Sequence, residues 1–413
     1  MKRREFLNLT AKSLSLMALS DLINLNNAFA ESMVDGDKFF VQVILSGGWD
    51  VTLGTDPWLT AKPDDKEMFI EYDPSSISRV GDIAFGPSFE PMREFANNMS
   101  VINGIFLSGN DNGHEAAMHY MQSGSVDTLW GSLAVEYGEC RGEEFLGLIS
   151  SGTVLSGSRT PITTPASNLA NMQLAKPTGF GSKSARQSKL DVVAQNMQTQ
   201  AGKFARRQEI LDILKSQNPT LNNKHQMTAA MSAGLALTAL YEASATGVAG
   251  GLDSHSAHEN NHKNVQLAMW NDVKDLINTF KGTPYGQNGD SLYDHTTFFI
   301  TSEFGRTAAL NMAGGKDHNP LTNSAVIISS KVKSASIGGS HLVESKRSAR
   351  GSSYHVASPI DIQTGRPLKD RNNAFIVTPE NIAATVAELM GISRKRFAPV
   401  KSSTPSLTHL IRR

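Results

Sequence analysis

The sequence predicts an α/β protein built on a mostly parallel central sheet, with helices covering both faces. Three observations lead there. Thr296–Thr301 (TTFFIT) and Phe39–Leu45 (FFVQVIL) are near-continuous apolar runs rich in aromatic and β-branched residues, as strands buried on both faces require. Each run stops at glycine and charge: Ser46-Gly47-Gly48-Trp49-Asp50 after the first, and Ser302-Glu303-Phe304-Gly305-Arg306 after the second. Between such runs lie segments of helical periodicity. In an open α/β sheet ligands bind in the crevice at the carboxyl ends of the strands, so charges gathered there are site candidates.

Taken in order, the first 30 residues stand apart. Arg3-Arg4 precede a mildly apolar Leu-, Ser- and Ala-rich stretch that ends in Ala28-Phe29-Ala30, an A-x-A cleavage pattern. This looks like a twin-arginine export signal, which makes the twin-arginine translocase a partner during export. The mature chain is then expected in the periplasm or outside the cell, exported folded after cleavage near Ala30. Cys140 is the only cysteine, so no intramolecular disulfide is expected and the thiol reads as buried.

Val101-Ile102, Phe145–Ile149 and Ala325–Ile328 are shorter strand candidates. The clearest helix runs from Asn261 to Phe280, where Val265, Met269, Val273, Leu276, Ile277 and Phe280 recur at helical spacing and Gly282 follows as a stop. A second opens at Thr378-Pro379-Glu380, with Thr as N-cap and Pro at the first helical position, and ends at Gly391. The segment 112–119 reads as a helix start that runs to Ser123-Gly124. Residues 151–182 read as a long surface loop and Lys331–Ser353 as an exposed loop or hairpin. The expected organisation is an export signal over 1–30, an α/β domain over 38–395 with a helical insertion at 183–245, and a C-terminal tail over 396–413.

Lys+Arg and Asp+Glu number 39 each among 413 residues. A net charge near zero argues against a nucleic-acid binder or a polybasic membrane binder, since both depend on surplus positive charge. No window reaches the roughly 20 apolar residues of a membrane helix, so no transmembrane anchor is expected.

Metal-ligand residue types cluster in four places. Asp50 follows the first strand, and His114 and His119 lie near a helix start. Asp253, His255 and His258 precede the 261–280 helix, while Glu303, Arg306, Asp317 and His318 follow the Thr296–Thr301 strand. Carboxylates and imidazoles gathered beside one another are the donor set of a divalent metal such as Zn, Mn, Mg or Ca. The plainer alternative for Glu303 and Arg306 is a pair at a strand end.

The order GGWD, NGHEAAMHYMQSG, GLDSH, SEFGRT, KDH and TPENIAATVAELMGI resembles a family of twin-arginine-exported bacterial proteins, domain of unknown function number fifteen hundred and one. That family is grouped with the alkaline phosphatase and sulfatase superfamily. The resemblance implies an alkaline phosphatase-like fold over most of residues 38–392. It also implies a metal site drawing on Asp50, Asp253, His255 or His258, Glu303, Asp317 and His318. Phe304 stands where a second-metal histidine is expected, and His114 where the superfamily places a Ser, Thr or Cys nucleophile. His114 can serve as a covalent acceptor or as a further ligand, with water attacking directly.

The implied activity is metal-dependent hydrolysis or transfer at a phosphate or sulfate ester, with Arg306 clamping the anion. The alternative is an exported binding or surface protein that keeps the fold without turnover. Whether the chain is an enzyme stays open at this point. Replacing Arg3 and Arg4 together by Lys is expected to leave uncleaved precursor in the cytoplasm, while the parent is processed to begin at Glu31. Cell fractionation with N-terminal sequencing checks this, and normal export of the double variant removes the signal reading.

Overall fold

The computed structural model describes residues 38–59, 68–110, 113–141, 148–159, 163–165, 223–232, 234–259, 261–285, 289–368 and 374–412. The export-signal reading, residues 160–162 and 166–182 of the expected surface loop and most of the expected helical insertion lie outside them.

Among the described residues eight strands form the central sheet: β1 (Phe39–Ile44), β2 (Met99–Asn103), β3 (Leu148–Ser150), β4 (Thr163–Pro165), β5 (Thr238–Glu242), β6 (Thr296–Thr301), β7 (Ser324–Ile328) and β8 (Ala335–Ile337). Their order is β8-β2-β7-β6-β1-β5-β3-β4. β1 pairs in parallel with both β5 and β6, and the parallel run continues through β3 to β4. β7 is antiparallel to both neighbours, so β2 points the same way as β6. The carboxyl ends of β1, β2, β5 and β6 therefore share one edge.

Side chains alternate between the sheet faces with period two, which splits the core in two. Phe39, Val41, Val43, Phe298 and Ile300 face one cluster; Phe40, Phe299, Ala325 and Ile327 face the other. The first cluster is covered by α3 (Asn223–Ser232) and α4 (His262–Lys281), and α4 buries Val265, Met269, Trp270, Val273, Leu276, Ile277 and Phe280. The second is covered by α1 (Gly113–Ser123), α2 (Leu133–Arg141) and α5 (Pro379–Leu389). Gln42 is the polar exception on β1. Its Nε2 donates to the Gln122 carbonyl at 3.1 Å and its Oε1 accepts from the Ala134 N–H at 2.9 Å, which ties the end of α1 and the start of α2 to the sheet.

The α/β class and mostly parallel sheet agree with the sequence reading, and three expectations change. β5 lies inside the segment expected as a helical insertion, between β1 and β3; buried Thr238–Tyr241 is a central strand despite its Ala/Leu-rich surroundings. Residues 396–413 are not a detached tail. Phe397, Val400, Leu407, Leu410 and Ile411 are buried in the second cluster, and α6 (Thr408–Ile411) packs beside β8. Cys140 is only partly buried.

Phe298 is fully buried, with ring centroids 5.1 Å from Phe280 and 6.3 Å from Tyr293. Phe298→Ala is expected to destabilise the protein by about 3–5 kcal/mol, from lost burial and the cavity left behind. Urea unfolding measures it, and a loss under about 1 kcal/mol would mean that this layer repacks.

Candidate metal centre

Four side chains converge at the shared strand edge. His114 comes from the first turn of α1, Asp253 and His255 from the loop after β5, and His318 from a two-residue strand that pairs with Gly305–Arg306. One donor atom from each lies within 4.8 Å of every other. Asp253 Oδ1 is 3.4 Å from His114 Nε2, 3.2 Å from His255 Nε2 and 3.6 Å from His318 Nε2, and the last two nitrogens are 2.9 Å apart. His114, His255 and His318 are partly buried and Asp253 is exposed, so the cluster is open on one side.

Two of the imidazoles are aimed by carboxylates behind them. Glu303 Oε1 is 2.8 Å from His114 Nδ1, and Asp317 Oδ1 is 3.1 Å from His255 Nδ1. A carboxylate at Nδ1 holds the proton there and leaves Nε2 with its lone pair facing the cluster, the outer-shell arrangement of metal-binding histidines. Nε2 of His114 is buried and makes no hydrogen bond. Four donors on a tetrahedron around an ion with bonds of about 2.0–2.1 Å sit roughly 3.3–3.4 Å apart, and the separations from Asp253 Oδ1 bracket that value. Three imidazoles and one carboxylate without thiolate suit zinc or a similar transition metal better than Mg or Ca.

Glu303 and Asp317, expected from sequence as ligands, have their oxygens engaged elsewhere. Glu303 accepts from the Gly47 N–H (2.7 Å) and the Ser302 hydroxyl (2.9 Å) besides His114; Asp317 accepts from Asn311 Nδ2 (2.8 Å) and the Ser348 hydroxyl (2.5 Å) besides His255. Burial alone would raise both carboxyl pKa values, but these donors hold them below the usual range. The Glu303 hydrogen bond in turn raises that of His114.

Asp50 and His258 stand apart from the cluster, in a buried network. Asp50 Oδ2 lies 2.5 Å from Lys316 Nζ and 3.3 Å from His258 Nε2, and the Ser254 hydroxyl bridges His258 and His262 at 2.7 and 2.8 Å. Burial pushes Asp50 up, but Lys316 and His258 hold it well below the normal range; burial lowers His258 to about 4. Asp50 is thus an anion neutralised by Lys316, the residue before the Asp-His pair, whose part was not read from sequence.

Arg306 also departs from its expected role. It is fully buried, and four of its five N–H donors are engaged. Nε donates to Gly48 O (3.0 Å), Nη1 to Lys316 O (3.1 Å), and Nη2 to both Gly47 O and Asp253 Oδ1, the latter at 2.8 Å. It is a structural tie and not a free anion clamp. Phe304 packs its ring against His318 at 4.3 Å and His114 at 4.9 Å. A Cβ on Gly48 would lie 2.3 Å from that ring, so glycine is required there. Gly315 meets the same limit, because a Cβ would fall 1.9 Å from the His255 carbonyl carbon.

Beneath Arg306 runs a chain of polar groups. Ser340 Oγ is 2.6 Å from Asp56 Oδ2 and 2.9 Å from His355 Nδ1, and His355 Nε2 donates to Arg306 O at 2.7 Å. The Ser340 hydroxyl has one hydrogen and two neighbours that can accept it, Asp56 Oδ2 and the Nδ1 of a neutral His355. Burial raises the Asp56 carboxyl to about 6 against the hydrogen bonds from Ser340 that lower it, and burial lowers His355 to about 4.

Residues 245–358 match the model of a family described as "Protein of unknown function (DUF1501)". No curated protein matches the sequence. Among solved structures the chain is similar to Ps i-CgsB in complex with k-i-k-neocarrahexaose, at 9% identity, TM-score 0.38, and coverage of 89% of this chain and 76% of that one. It is also similar to BT1596, a 2-O GAG sulfatase, at 10% identity, TM-score 0.38, and coverage of 90% and 74%. A TM-score of 0.38 is too low to transfer either fold or function.

A carboxyl with a raised folded pKa contributes stability below its unfolded value that is lost as pH rises through the folded value. Asp56→Asn keeps a donor toward Ser340 without the titration. The variant is therefore expected to gain on the parent between pH 5 and 8, by roughly 1.4 kcal/mol in all. Urea unfolding across that range checks it, and a difference that stays flat with pH removes the raised Asp56 pKa.

Proposed function

We propose that this DUF1501-matching chain is an exported, metal-dependent hydrolase or transferase acting on an anionic phosphate or sulfate ester, with His114, Asp253, His255 and His318 as metal ligands. The observation that carries the reading is the convergence of three imidazole Nε2 atoms on one carboxylate oxygen, two of them aimed from behind by Glu303 and Asp317. Bound there, a divalent ion supplies Lewis acidity and lowers the pKa of water towards ~7.

The protein's own groups do the rest. Glu303 and Asp317 keep the Nδ1 protons of His114 and His255 in place, so both rings present lone pairs to the site. Arg306 holds Asp253 toward the cluster and ties the loops that deliver it. Phe304 covers the inner side of the rings, which leaves substrate access on the exposed side of Asp253. His114 is built on the same plan as His255. We therefore assign it as a ligand and not as a covalent acceptor, with water as the attacking group. The binding-protein alternative keeps the same metal ligands and omits turnover.

Elemental analysis of the protein exported by its native host is expected to find about one transition-metal ion per chain, by the donor count of the cluster. Asp253→Asn, His114→Ala and His318→Ala should each lower bound metal and thermal stability together, since a ligand specific for the folded state stabilises it by mass action. Glu303→Gln should weaken metal affinity by about 10–100-fold without abolishing it. Unchanged metal content in the ligand variants overturns the site. Full metal content with no turnover of aryl phosphates or aryl sulfates selects the binding protein.

A further inference from the structure

With Arg306 buried and committed, recognition of an anion must come from another cation, and one group of cations lies beside the cluster. Ser340–Arg347 and Ser353–Ala357 form an antiparallel hairpin. Its end, Ser345–Ser352 (SKRSARGS), carries Lys346, Arg347 and Arg350 and no carboxylate, and all three cations are exposed. The tip is firmly built. Ser348 N donates to Ser352 O at 2.8 Å, Ser352 N to Ser348 Oγ at 3.0 Å, and Arg347 Nη1 to Gly351 O at 3.1 Å. It is also anchored to the site, because the Ser348 hydroxyl donates to Asp317 Oδ2 at 2.5 Å while Asp317 Oδ1 holds His255.

Arg350 is the informative member. Its Nη1 is 3.8 Å from Asp317 Oδ1, beyond hydrogen-bond reach, and that carboxylate already accepts from His255, Asn311 and Ser348. The guanidinium is about half exposed, with its side chain at 53%, and makes no hydrogen bond among the described residues. It therefore presents a planar donor fork to solvent, one carboxylate and one imidazole away from the metal cluster. A fork of this kind suits the paired oxygens of a sulfate or phosphate group. Because it lies on the Nδ1 side of His255, it sits behind the ligands and meets a different group from the one held at the cluster.

We propose that Arg350, supported by Lys346 and Arg347, is a subsite for a second, non-reacting anionic group, so that the substrate is an ester carrying more than one sulfate or phosphate. The inference rests on the cluster being the reaction centre named above. It assigns specificity to the hairpin and chemistry to the imidazoles.

The test is calorimetry on the zinc-loaded full chain with two matched pairs of probes: a disulfated against a monosulfated disaccharide, and glucose 1,6-bisphosphate against glucose 1-phosphate. The parent is expected to prefer the doubly charged member of at least one pair by roughly ten-fold or more, the worth of a charged hydrogen bond. Which pair shows the preference identifies the anion. Arg350→Ala should erase it while leaving zinc content and affinity for the singly charged probe unchanged, and Arg350→Lys should keep part of it. The subsite is overturned if the preference survives in Arg350→Ala, if the parent shows none in either pair, or if zinc content falls in step with the preference, which would make Arg350 a mere partner of Asp317. Zinc content in the parent and in His318→Ala judges the metal centre separately, so the two readings fail independently.

Discussion

The Arg306 guanidinium is the constraint on which the site depends. A buried cation that lacks acceptors is costly by several kcal/mol, and this one finds them in the carbonyls of Gly47, Gly48 and Lys316 and in Asp253. Those acceptors lie on three different segments, so satisfying one side chain draws together the loop after β1, the loop after β5 and the approach to His318. The approach is close enough that Gly48 has no room for a side chain beside Phe304. The peptide carbonyl of Arg306 is held as well, by His355.

Burial then sorts chemically identical residues into different tasks. Asp50 is sealed and answered by Lys316, so it is a neutralised structural charge. Glu303 and Asp317 each accept several hydrogen bonds and face a histidine Nδ1. Asp253 is half exposed, which leaves it the acid best placed to meet a ligand. The histidines divide in the same way. His258 and His262 sit where burial keeps them neutral, stacked at 4.3 Å, while His114, His255 and His318 reach the open side.

How much of this was legible follows from what each signal encodes. Apolar runs encode burial on both faces, so β1 and β6 were read nearly to the residue, and helical periodicity with Gly282 as a stop located α4. β5 was hidden because Ala and Leu around Thr238–Tyr241 favour helix in isolation, and only its place between two buried strands makes it extended. Residues Phe397–Ile411 were read as a tail because their apolar residues follow no single period, although they fill the second core cluster. At the site, residue type and strand-end position picked out His255, His318 and Asp253, three of the four side chains that converge, but could not separate a converging side chain from one that supports it. Asp317 and His318 are neighbours in sequence, yet adjacent residues of an extended segment point opposite ways. One joins the cluster and the other turns back to hold His255.

The segment that matches the DUF1501 model, 245–358, contains Asp253, His255, His318, Arg306, Glu303 and the basic hairpin, but not His114. Three of the four converging donors thus come from one continuous region, and the fourth arrives from α1, far earlier in the chain. Sheet topology makes this possible. β7 runs antiparallel between β2 and β6, which leaves those two strands pointing the same way and delivers the α1 start and Glu303 to the same edge. The His114–Glu303 contact spans 189 positions in sequence, and it depends on the sheet order more than on any local motif. A strand-order change at β7 would leave the three-donor set intact and remove the fourth, so completion of the centre belongs to the whole α/β unit and not to the matched segment alone.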